Sequence, residues 1–362
     1  MRENQRKPKT KAKPKSSTTA RSAPIELGYL DILNERQGWG KDATGGAAGD
    51  IYRVTTLADS GRGSLRAGLE SDAPLWIVFD VDGKISAAKS IYAKSNKTID
   101  GRGRKIQIKG NGKNIGPLRL YDANNFIILN VTLDDEWPDY TKDSEGADGI
   151  TIKNAKDIWV HHCLLQRWSD GAIDMTGDVF RASITWSRLF YTYQALALRG
   201  DCVTLAHNYV RGCAARFPKA LVGRFHSYNN VIREWKLASI QSVKEGGTLL
   251  AEHNIYLPGE EEDNNVNEVA DGGGRISCHA GNNYPLDPTD FIGGKDKIDA
   301  AWAADSRKRG KLVKCANDDD IKKLFDGTKS GAGPTLRAVS YATAGPRVST
   351  KASPTIVRRA PT

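Results

Sequence analysis

"DCVTLAHNYV" (residues 201–210) is a short apolar run that closes on polar residues, and similar runs lie on both sides of it in the chain. Each run is rich in β-branched and other apolar residues, which favour strands, and each contains a polar or aromatic residue that suits a bend. The related runs are "NNFIILNVTL" (124–133), "KDIWVHHCLL" (156–165), "RASITWSRLF" (181–190), "VGRFHSYNNV" (222–231) and "GTLLAEHNIY" (247–256). Repetition of one short unit along a chain indicates a repeat architecture.

The spacing of the runs identifies the kind of repeat. The corresponding bend positions recur at similar intervals after a longer first step, and they are Asn130, His162, Trp186, His207, Asn229 and His253. Further strand-like runs, such as "GAIDMTG" (171–177), lie between them. Two or three short strands per coil of about 22 residues are typical of a parallel β-helix, whose coils bury apolar residues by stacking about 4.8 Å apart. We therefore predict an all-β fold of this kind.

Three local features refine this prediction. The residues that follow the last three bends, Asn208, Asn230 and Asn254, are expected to form a ladder of stacked amides. "SLRAGLES" (64–71) predicts a short helix that caps the open N-terminal end of the stack. The enlarged first step contains "DDEWPDYTKDSEGA" (134–147), which we expect to project from one face.

The net charge of +10 belongs to the ends of the chain rather than to its repeats. Residues 1–24 carry +7 and residues 339–362 carry +4, which leaves −1 for residues 25–338. We predict disordered basic tails at 1–24 and 339–362 and one β-helix domain with a C-terminal wrap at 25–338. The tails could contact an anionic surface, nucleic acid or a virion partner, or serve as solvated linkers. Their charge therefore says little about the active surface.

Membrane insertion and cysteine chemistry are not indicated. No stretch approaches a transmembrane span, and residues 1–24 contain no apolar core of signal-peptide length. The chain has five cysteines and no Cys-x-x-Cys pair. An odd number leaves at least one cysteine unpaired in a monomer, and the spacing disfavours a zinc site.

Acidic residues recur at the coil spacing. "SDGAIDM" (169–175) contains Asp170 and Asp174, and Asp148 precedes Asp170 by one coil, so Asp148 and Asp170 are expected to stack on adjacent coils. Gln194 and Arg216 are separated by the same interval and would continue the same face. Carboxylates that lie close together repel one another unless a cation joins them, and hard oxygen ligands favour Ca²⁺. The alternative is a set of solvated carboxylates at the rim.

At these positions the sequence resembles the pectate lyases of polysaccharide lyase family 1. The resemblance covers roughly residues 38–257 and follows the family's order of motifs. Its motifs are "GWGKDATGGAAGDIYRVTTLADSGRGSLRAGLE" (38–70), "IVFDVDGKI" (77–85), "SNKTIDGRG" (95–103), "DIWVHHC", "DGAID", "AHNYV", "ARFPK" and "HSYNN". It implies a right-handed parallel β-helix with calcium held by Asp148, Asp170 and Asp174. It also implies that Arg216 removes the C5 proton of a uronate.

The implied reaction is calcium-assisted β-elimination of a uronate polysaccharide, either pectate or a partly esterified pectin. Calcium that bridges the substrate carboxylate to the protein would stabilise the charge left when the proton departs. Arginine is an unusual base because its pKa ordinarily exceeds about 12. Action at alkaline pH, a strongly cationic pocket, and a mainly electrostatic role for Arg216 all remain open.

The chain also departs from the family pattern. His161 in "WVHH" stands where an aspartate is usual, Gln194 replaces a substrate-binding lysine, and Arg216 is followed by Lys219 and then Leu221 in place of a final arginine. Gln194 and Lys219 remain the expected substrate-binding positions, although a fully charged polymer should bind more weakly. The alternative function is a non-catalytic β-helix that binds glycans or acts as a structural adhesin, including a virion-associated one.

The remaining expectations concern histidines and location. His161, His162, His207, His226 and His253 recur at coil spacing, which favours roles at bends and in ladders over metal binding. The resemblance implies action outside the cell. Because no signal peptide is visible, attachment to a virus particle or non-classical export are the expected routes.

Overall fold

The computed structural model describes residues 23–24, 27–110, 115–139, 146–236, 239–257, 265–269, 275–278, 283–284 and 298–313. Residues 1–22 and 339–362, which make up almost all of the predicted tails, lie outside these ranges, as does the centre of the predicted insertion, residues 140–145. Within the predicted N-terminal tail, Ala23–Pro24 forms a short strand that pairs with Asp50–Val54.

Three long sheets make up the described structure, and successive strands pass from one sheet to the next in turn. Sheet A consists of Ala23–Pro24, Asp50–Val54, Leu75–Phe79, Lys97–Asp100, Phe126–Leu129, Lys156–His161, Phe180–Thr185, Asp201–Ala206, Arg224–Tyr228, Thr248–Glu252 and Arg275–Cys278. Sheet B consists of Gly83–Ser86, Ile106–Lys109, Thr132–Asp134, Leu164–Gln166, Arg188–Phe190, Tyr209–Arg211, Val231–Arg233, Asn254–Leu257 and Asn283–Tyr284. Sheet C consists of Ile91–Tyr92, Leu118–Tyr121, Ile150–Lys153, Gly171–Thr176, Gln194–Arg199, Lys219–Val222, Ser239–Val243 and Asn265–Val269.

Parallel pairing between coils confirms the predicted β-helix. Apart from the first pair of sheet A, each strand lies parallel to the strand one coil before it, as where Ile128, Val160, Ile184 and Leu205 stand in register across sheet A. All four side chains are completely buried. Because like residues stack on like residues, each coil covers the apolar surface that its neighbour could not bury alone.

The bends follow the predicted positions. Asn130, His162, Trp186, His207, Asn229 and His253 all have φ between 51° and 60°, the left-handed conformation that turns the chain sharply. Of the five histidines singled out in the sequence, three therefore lie at bends, whereas His161 and His226 lie in strands of sheet A.

The predicted asparagine ladder is also present. The Nδ2 group of Asn208 donates to Oδ1 of Asn230 at 3.0 Å, and that of Asn230 donates to Oδ1 of Asn254 at 2.9 Å. The same Oδ1 atoms accept from the backbone N–H groups of Asn208 and Asn230 at 2.9 Å. The ladder thus satisfies backbone donors inside the bend, where water has no access.

Helices lie around the coils. Short helical segments cover Leu27–Leu30, Asp31–Glu35, Trp39–Asp42 and Leu65–Leu69, and a longer helix covers Ala300–Arg309. Ser64 caps the predicted helix by accepting from the N–H of Ala67, and the side chains of Leu65 and Leu69 are completely buried. Within the described residues, no helix has the length and apolarity needed to cross a membrane.

Sheet A is covered on its outer face. Trp39 and Gly40 donate backbone hydrogen bonds to Thr204 Oγ1 and Ser183 Oγ, at 3.1 and 2.8 Å. Trp302, from the C-terminal helix, stacks on Trp39 with ring centroids 6.3 Å apart. The N-terminal segment and this helix therefore seal one face of the β-helix.

Candidate active site

Sheet C carries a row of outward residues set by strand register. Arg119 pairs with Thr151, Thr151 with Asp174, Asp174 with Ala197, and Ala197 with Lys219. In a strand every second side chain points away from the core, so residues in register on neighbouring coils share one face. This register places a carboxylate between two cationic residues on the outside of the β-helix.

Asp148 lies at the upper edge of this row. The strand register sets Ile150 opposite Ile173, a longer step than the predicted coil spacing, so Asp148 lies beside Gly171 rather than stacked on Asp170 as the sequence spacing predicted. Its Oδ1 accepts from the N–H of Gly171 at 3.1 Å. A Cβ atom at Gly171 would lie 2.6 Å from that oxygen, so the glycine is what allows the carboxylate to rest on the backbone.

The carboxylates are partly removed from water and lie close to one another. Burial, followed by the charge of Asp174, raises the pKa of Asp148 to about 6. Burial, followed by the charge of Asp170, raises the pKa of Asp174 to about 6. The three predicted aspartates therefore repel one another across the face, which is the electrostatic setting that a bound cation would relieve.

Arg216 lies at the lower edge of the same face. It has φ of 68°, and the peptide bond between Phe217 and Pro218 that follows it is cis. Its Nη1 donates to Oε1 of Gln194. Its positive charge offsets part of the rise in the pKa of Asp174. The arginine predicted as base and the predicted calcium ligands thus belong to one site.

The two residues predicted to bind substrate differ in their surroundings. Lys219 is half-buried and lies in the outward row. Gln194 is buried, with its side-chain carbonyl engaged by Arg216. The structure thus brings Gln194 to the site as a partner of the arginine, and its contact with substrate remains a prediction.

Two cationic residues of the site were missed by the sequence reasoning. Arg119 Nη1 lies 3.7 Å from Oδ2 of Asp148 and donates to Thr151, whose hydroxyl donates to the same Oδ2 at 3.0 Å. Arg199 lies near enough to Asp174 for its charge to offset part of the rise in the pKa of that carboxyl. Arg199 also pairs with Glu245 at 2.7 Å. Both residues occupy strands of sheet C, and following the register from Asp174 would have located them.

The donor set of the aspartates fits a hard cation. Asp148, Asp170 and Asp174 supply only oxygen donors, and burial together with the neighbouring carboxylates raises the pKa values of Asp148 and Asp174. Among the described residues, the group of His, Asp, Glu or Cys ligand atoms that converge within 4.8 Å is a different one, Glu35, His161 and His162 on sheet A. The aspartates are therefore more widely spread than that group.

Comparison with known proteins finds similar sequences. Residues 196–308 match the family model described as pectate lyase. A putative pectate lyase 21 of Arabidopsis thaliana is 34% identical over 243 residues, 61% of this chain and 60% of that protein. A pectate lyase of Nicotiana tabacum is 31% identical over 253 residues, 62% of each chain. The chain thus spans about three-fifths of the length of these curated relatives.

Solved structures support the same fold. The major allergen from cedar pollen is 22% identical, with a TM-score of 0.53 over 80% of this chain and 96% of that one. A pectate lyase bound to a hexasaccharide is 16% identical, with a TM-score of 0.52 over 89% of this chain and 98% of that one. At these identities the likeness concerns the fold alone. By sequence, the chain is similar to pectate lyases over about three-fifths of its length.

Proposed function

We propose that this protein is a polysaccharide lyase that cleaves a uronate polymer, pectate or partly esterified pectin, by calcium-assisted β-elimination. The observation that carries the proposal is the shared face of sheet C. There Asp148 and Asp174, both with raised pKa values, lie near each other, and the guanidinium of Arg216 lies near Asp174. A face with partly buried carboxylates and a neighbouring arginine suits removal of a proton next to a substrate carboxylate.

Asp148, Asp170 and Asp174 are the residues that would hold calcium. When bound, calcium would tie the uronate carboxylate to the protein and stabilise the negative charge that develops as C5 loses its proton. Asp148 is held in place by Gly171 and Thr151, so its carboxylate is positioned before any cation arrives. This arrangement lowers the reorganisation needed on binding.

Arg216 would take the proton. The C5–H bond breaks and its proton passes to the neutral guanidine, and the electron pair forms the C4–C5 double bond. The C4–O bond breaks with its electron pair on the oxygen of the departing sugar, which takes up a proton from water. Arg119, Arg199 and Lys219 make the surroundings cationic. Because an arginine ordinarily has a pKa above about 12, this role suits alkaline pH.

The same cations favour a polyanionic substrate. Arg119 and Lys219 stand at opposite ends of the outward row, so the row presents positive charge on both sides of Asp174. The cations lost relative to the family pattern, at Gln194 and Leu221, are thus offset in part by Arg119 and Arg199. A polymer with regularly spaced carboxylates would lie along this face.

The test is a screen for elimination. The full chain is incubated with polygalacturonate, with pectins of graded esterification and with other uronate polymers, from neutral to alkaline pH, with calcium or with a chelator. We expect ultraviolet absorbance from unsaturated uronate ends that rises with calcium. Absence of any rise on every polymer, together with retained polymer binding, would favour the non-catalytic glycan-binding or adhesin alternative.

The site of action follows from this substrate class. We place the protein outside the cell, with the basic tails as its means of attachment to an anionic surface or a virion partner. Recovery of the native chain from culture fluid with a cleaved N-terminus would support ordinary secretion instead of the virion route.

A further inference from the structure

Two imidazoles lie side by side on the covered face of the β-helix. His161 ends a strand of sheet A, and His162 follows it in the left-handed conformation with φ of 51°. In a regular strand, consecutive side chains point to opposite faces. The left-handed residue interrupts that alternation, so the two rings lie together with centroids 4.1 Å apart.

A carboxylate from the N-terminal segment lies close to both imidazole rings. Oε2 of Glu35 lies 3.4 Å from Nε2 of His161 and 3.9 Å from Nε2 of His162. The segment is fixed by Arg36, which donates to the carbonyls of Leu33 and Ala43 at 2.7 and 2.6 Å. Residues from distant parts of the chain are thereby brought into a three-donor cluster.

The distances suit a small divalent cation. Ligands that lie about 2.0–2.1 Å from a tetrahedral zinc ion are separated from one another by about 3.3 Å. Oε2 of Glu35 lies 3.4 and 3.9 Å from the two imidazole nitrogens, near that value, and the cluster as a whole has its three ligand atoms within 4.8 Å of one another. The side chain of Glu35 is 41% exposed, so it has room to make the remaining adjustment.

The surroundings also orient one ligand. Nδ1 of His161 lies 2.8 Å from Oγ1 of Thr185, and the indole N–H of Trp159 donates to the same oxygen at 2.9 Å. A hydroxyl that already accepts from Trp159 has a second lone pair for an Nδ1–H group. That hydrogen bond would leave Nε2 of His161 as the metal-binding nitrogen, an outer contact typical of histidine ligands.

We propose that Glu35, His161 and His162 form a zinc-type metal site, separate from the aspartate site on sheet C, with water completing the coordination. Imidazole ligands select zinc and related transition metals, whereas calcium and magnesium prefer oxygen ligands. Bound metal would fasten the N-terminal segment to the outer face of sheet A. The spacing of cysteines and histidines in the sequence did not predict this site, because one of its ligands, Glu35, comes from a distant part of the chain.

The competing interpretation is a hydrogen-bonded ion pair set within stacked aromatic rings. His161 stacks on Trp159 at 4.3 Å, and His162 lies 6.1 Å from Trp186. Packing of this kind also explains why both histidines are buried. The two interpretations differ in whether the cluster takes up a metal ion when one is supplied.

The experiment uses the full chain, stripped of metal with a chelator and kept in excess calcium, and titrated with Zn²⁺ and separately with Co²⁺. The key variant is Glu35→Gln. Its matched control is Glu70→Gln, because Glu70 also has a side chain that is 41% exposed and is also ion-paired. Calorimetry gives affinity and stoichiometry, cobalt d–d absorption reports coordination, and thermal unfolding reports the gain in stability that a ligand of the folded state confers.

We expect one equivalent of Zn²⁺ bound by the parent protein, four-coordinate cobalt absorption, and a raised unfolding temperature. Glu35→Gln should weaken zinc binding by about tenfold or more and reduce the cobalt absorption, while Glu70→Gln should match the parent. No zinc uptake by the parent, or equal uptake and spectra in both variants, would overturn the proposal. None of these measurements depends on lyase activity, so this proposal and the proposed function fail separately.

Discussion

The outer faces of sheet A and sheet C are built by the same repeating coil, but their carboxylates have different surroundings. On sheet A, polar groups are matched by other parts of the chain: His226 lies 3.0 Å from Glu252, and Arg307 of the C-terminal helix donates to the same carboxylate at 2.7 Å. On sheet C, Asp148 and Asp174 keep raised pKa values. The buried carboxylate of sheet A is held charged by its partners, whereas on sheet C the neighbouring cations do not outweigh the effect of burial.

The largest expected effect is the loss of turnover in Arg216→Ala. Removing the base should lower the rate of elimination by about a thousandfold, within the range measured for acid–base groups. Calcium affinity should stay the same or tighten slightly, because a cation beside Asp174 is removed. Initial rates and calcium titration give the two quantities. Arg211→Ala, which alters an arginine paired with Glu234 on sheet B, is the control and should keep full activity.

Sheet A should respond in stability rather than in chemistry. Burial alone would raise the pKa of Glu252, but hydrogen bonds from His226 and Arg307 outweigh it and hold the pKa at about 2. Glu252→Gln should therefore cost about 3 kcal/mol of unfolding free energy, since it breaks a buried charged pair. Denaturant unfolding measures this loss.

The pH dependence of the Glu252 contribution has a definite sign. Because the pKa is lowered on folding, the contribution is present above about pH 4.5 and is lost as pH falls through about 2. The half-exposed pair of Glu234 and Arg211 supplies the control, and Glu234→Gln should cost less than about 1 kcal/mol. Equal losses of unfolding free energy in Glu252→Gln and Glu234→Gln would contradict the view that burial makes the Glu252 pairs the more important ones.

On sheet C, Asp174→Asn should stabilise the metal-free protein, whereas Glu252→Gln on sheet A should destabilise it. The pKa of Asp174 is raised from 3.8 to about 6, so without metal the carboxylate costs stability as pH rises through about 6. The metal-free variant should therefore unfold at a higher temperature than the parent at alkaline pH. At the same pH its calcium affinity should fall about tenfold or more, because a charged ligand is lost.

Calorimetry and thermal unfolding, each with calcium and with chelator, check this prediction. Asp157→Asn is the control, because Asp157 is paired with Arg181 on sheet A and lies outside the aspartate cluster. An Asp174→Asn variant that binds calcium like the parent would contradict the ligand role.

The smallest expected effect concerns Leu221→Arg. Leu221 is the extra residue where the register between Leu198 and Arg199 and their partners shifts. A cation there should improve binding of highly charged pectate severalfold, and binding of methylated pectin less, because only the former gains an ion pair. Michaelis constants on the two polymers measure the difference. Equal gains on both would place the side chain away from the substrate.

Features set by the local repeat could be predicted from the sequence. The left-handed bends at Asn130 and His207 and the ladder through Asn230 follow from spacing, because each coil repeats the same local geometry. The placement of Asp174 near Asp170 and Arg216 was predictable for the same reason.

Features that depend on register or on distant segments could not be predicted in this way. The lengthened step between neighbouring strands of sheet C moves Asp148 to Gly171, and the insertion after Asp134 hides the alignment of Arg119 with Thr151. Glu35 reaches His161 only because the N-terminal segment folds back across sheet A. Spacing within a repeat carries no information about such an approach.

The most direct test of the central claim compares elimination of polygalacturonate by the parent protein with calcium and with chelator, at one alkaline pH, alongside Asp174→Asn. The account predicts rapid formation of unsaturated ends by the parent with calcium, a loss of nearly all activity with chelator, and recovery when calcium is returned. The variant should recover only at much higher calcium concentration. Equal rates with and without calcium, in parent and variant alike, would contradict the assignment of the sheet C face as a calcium-dependent lyase site.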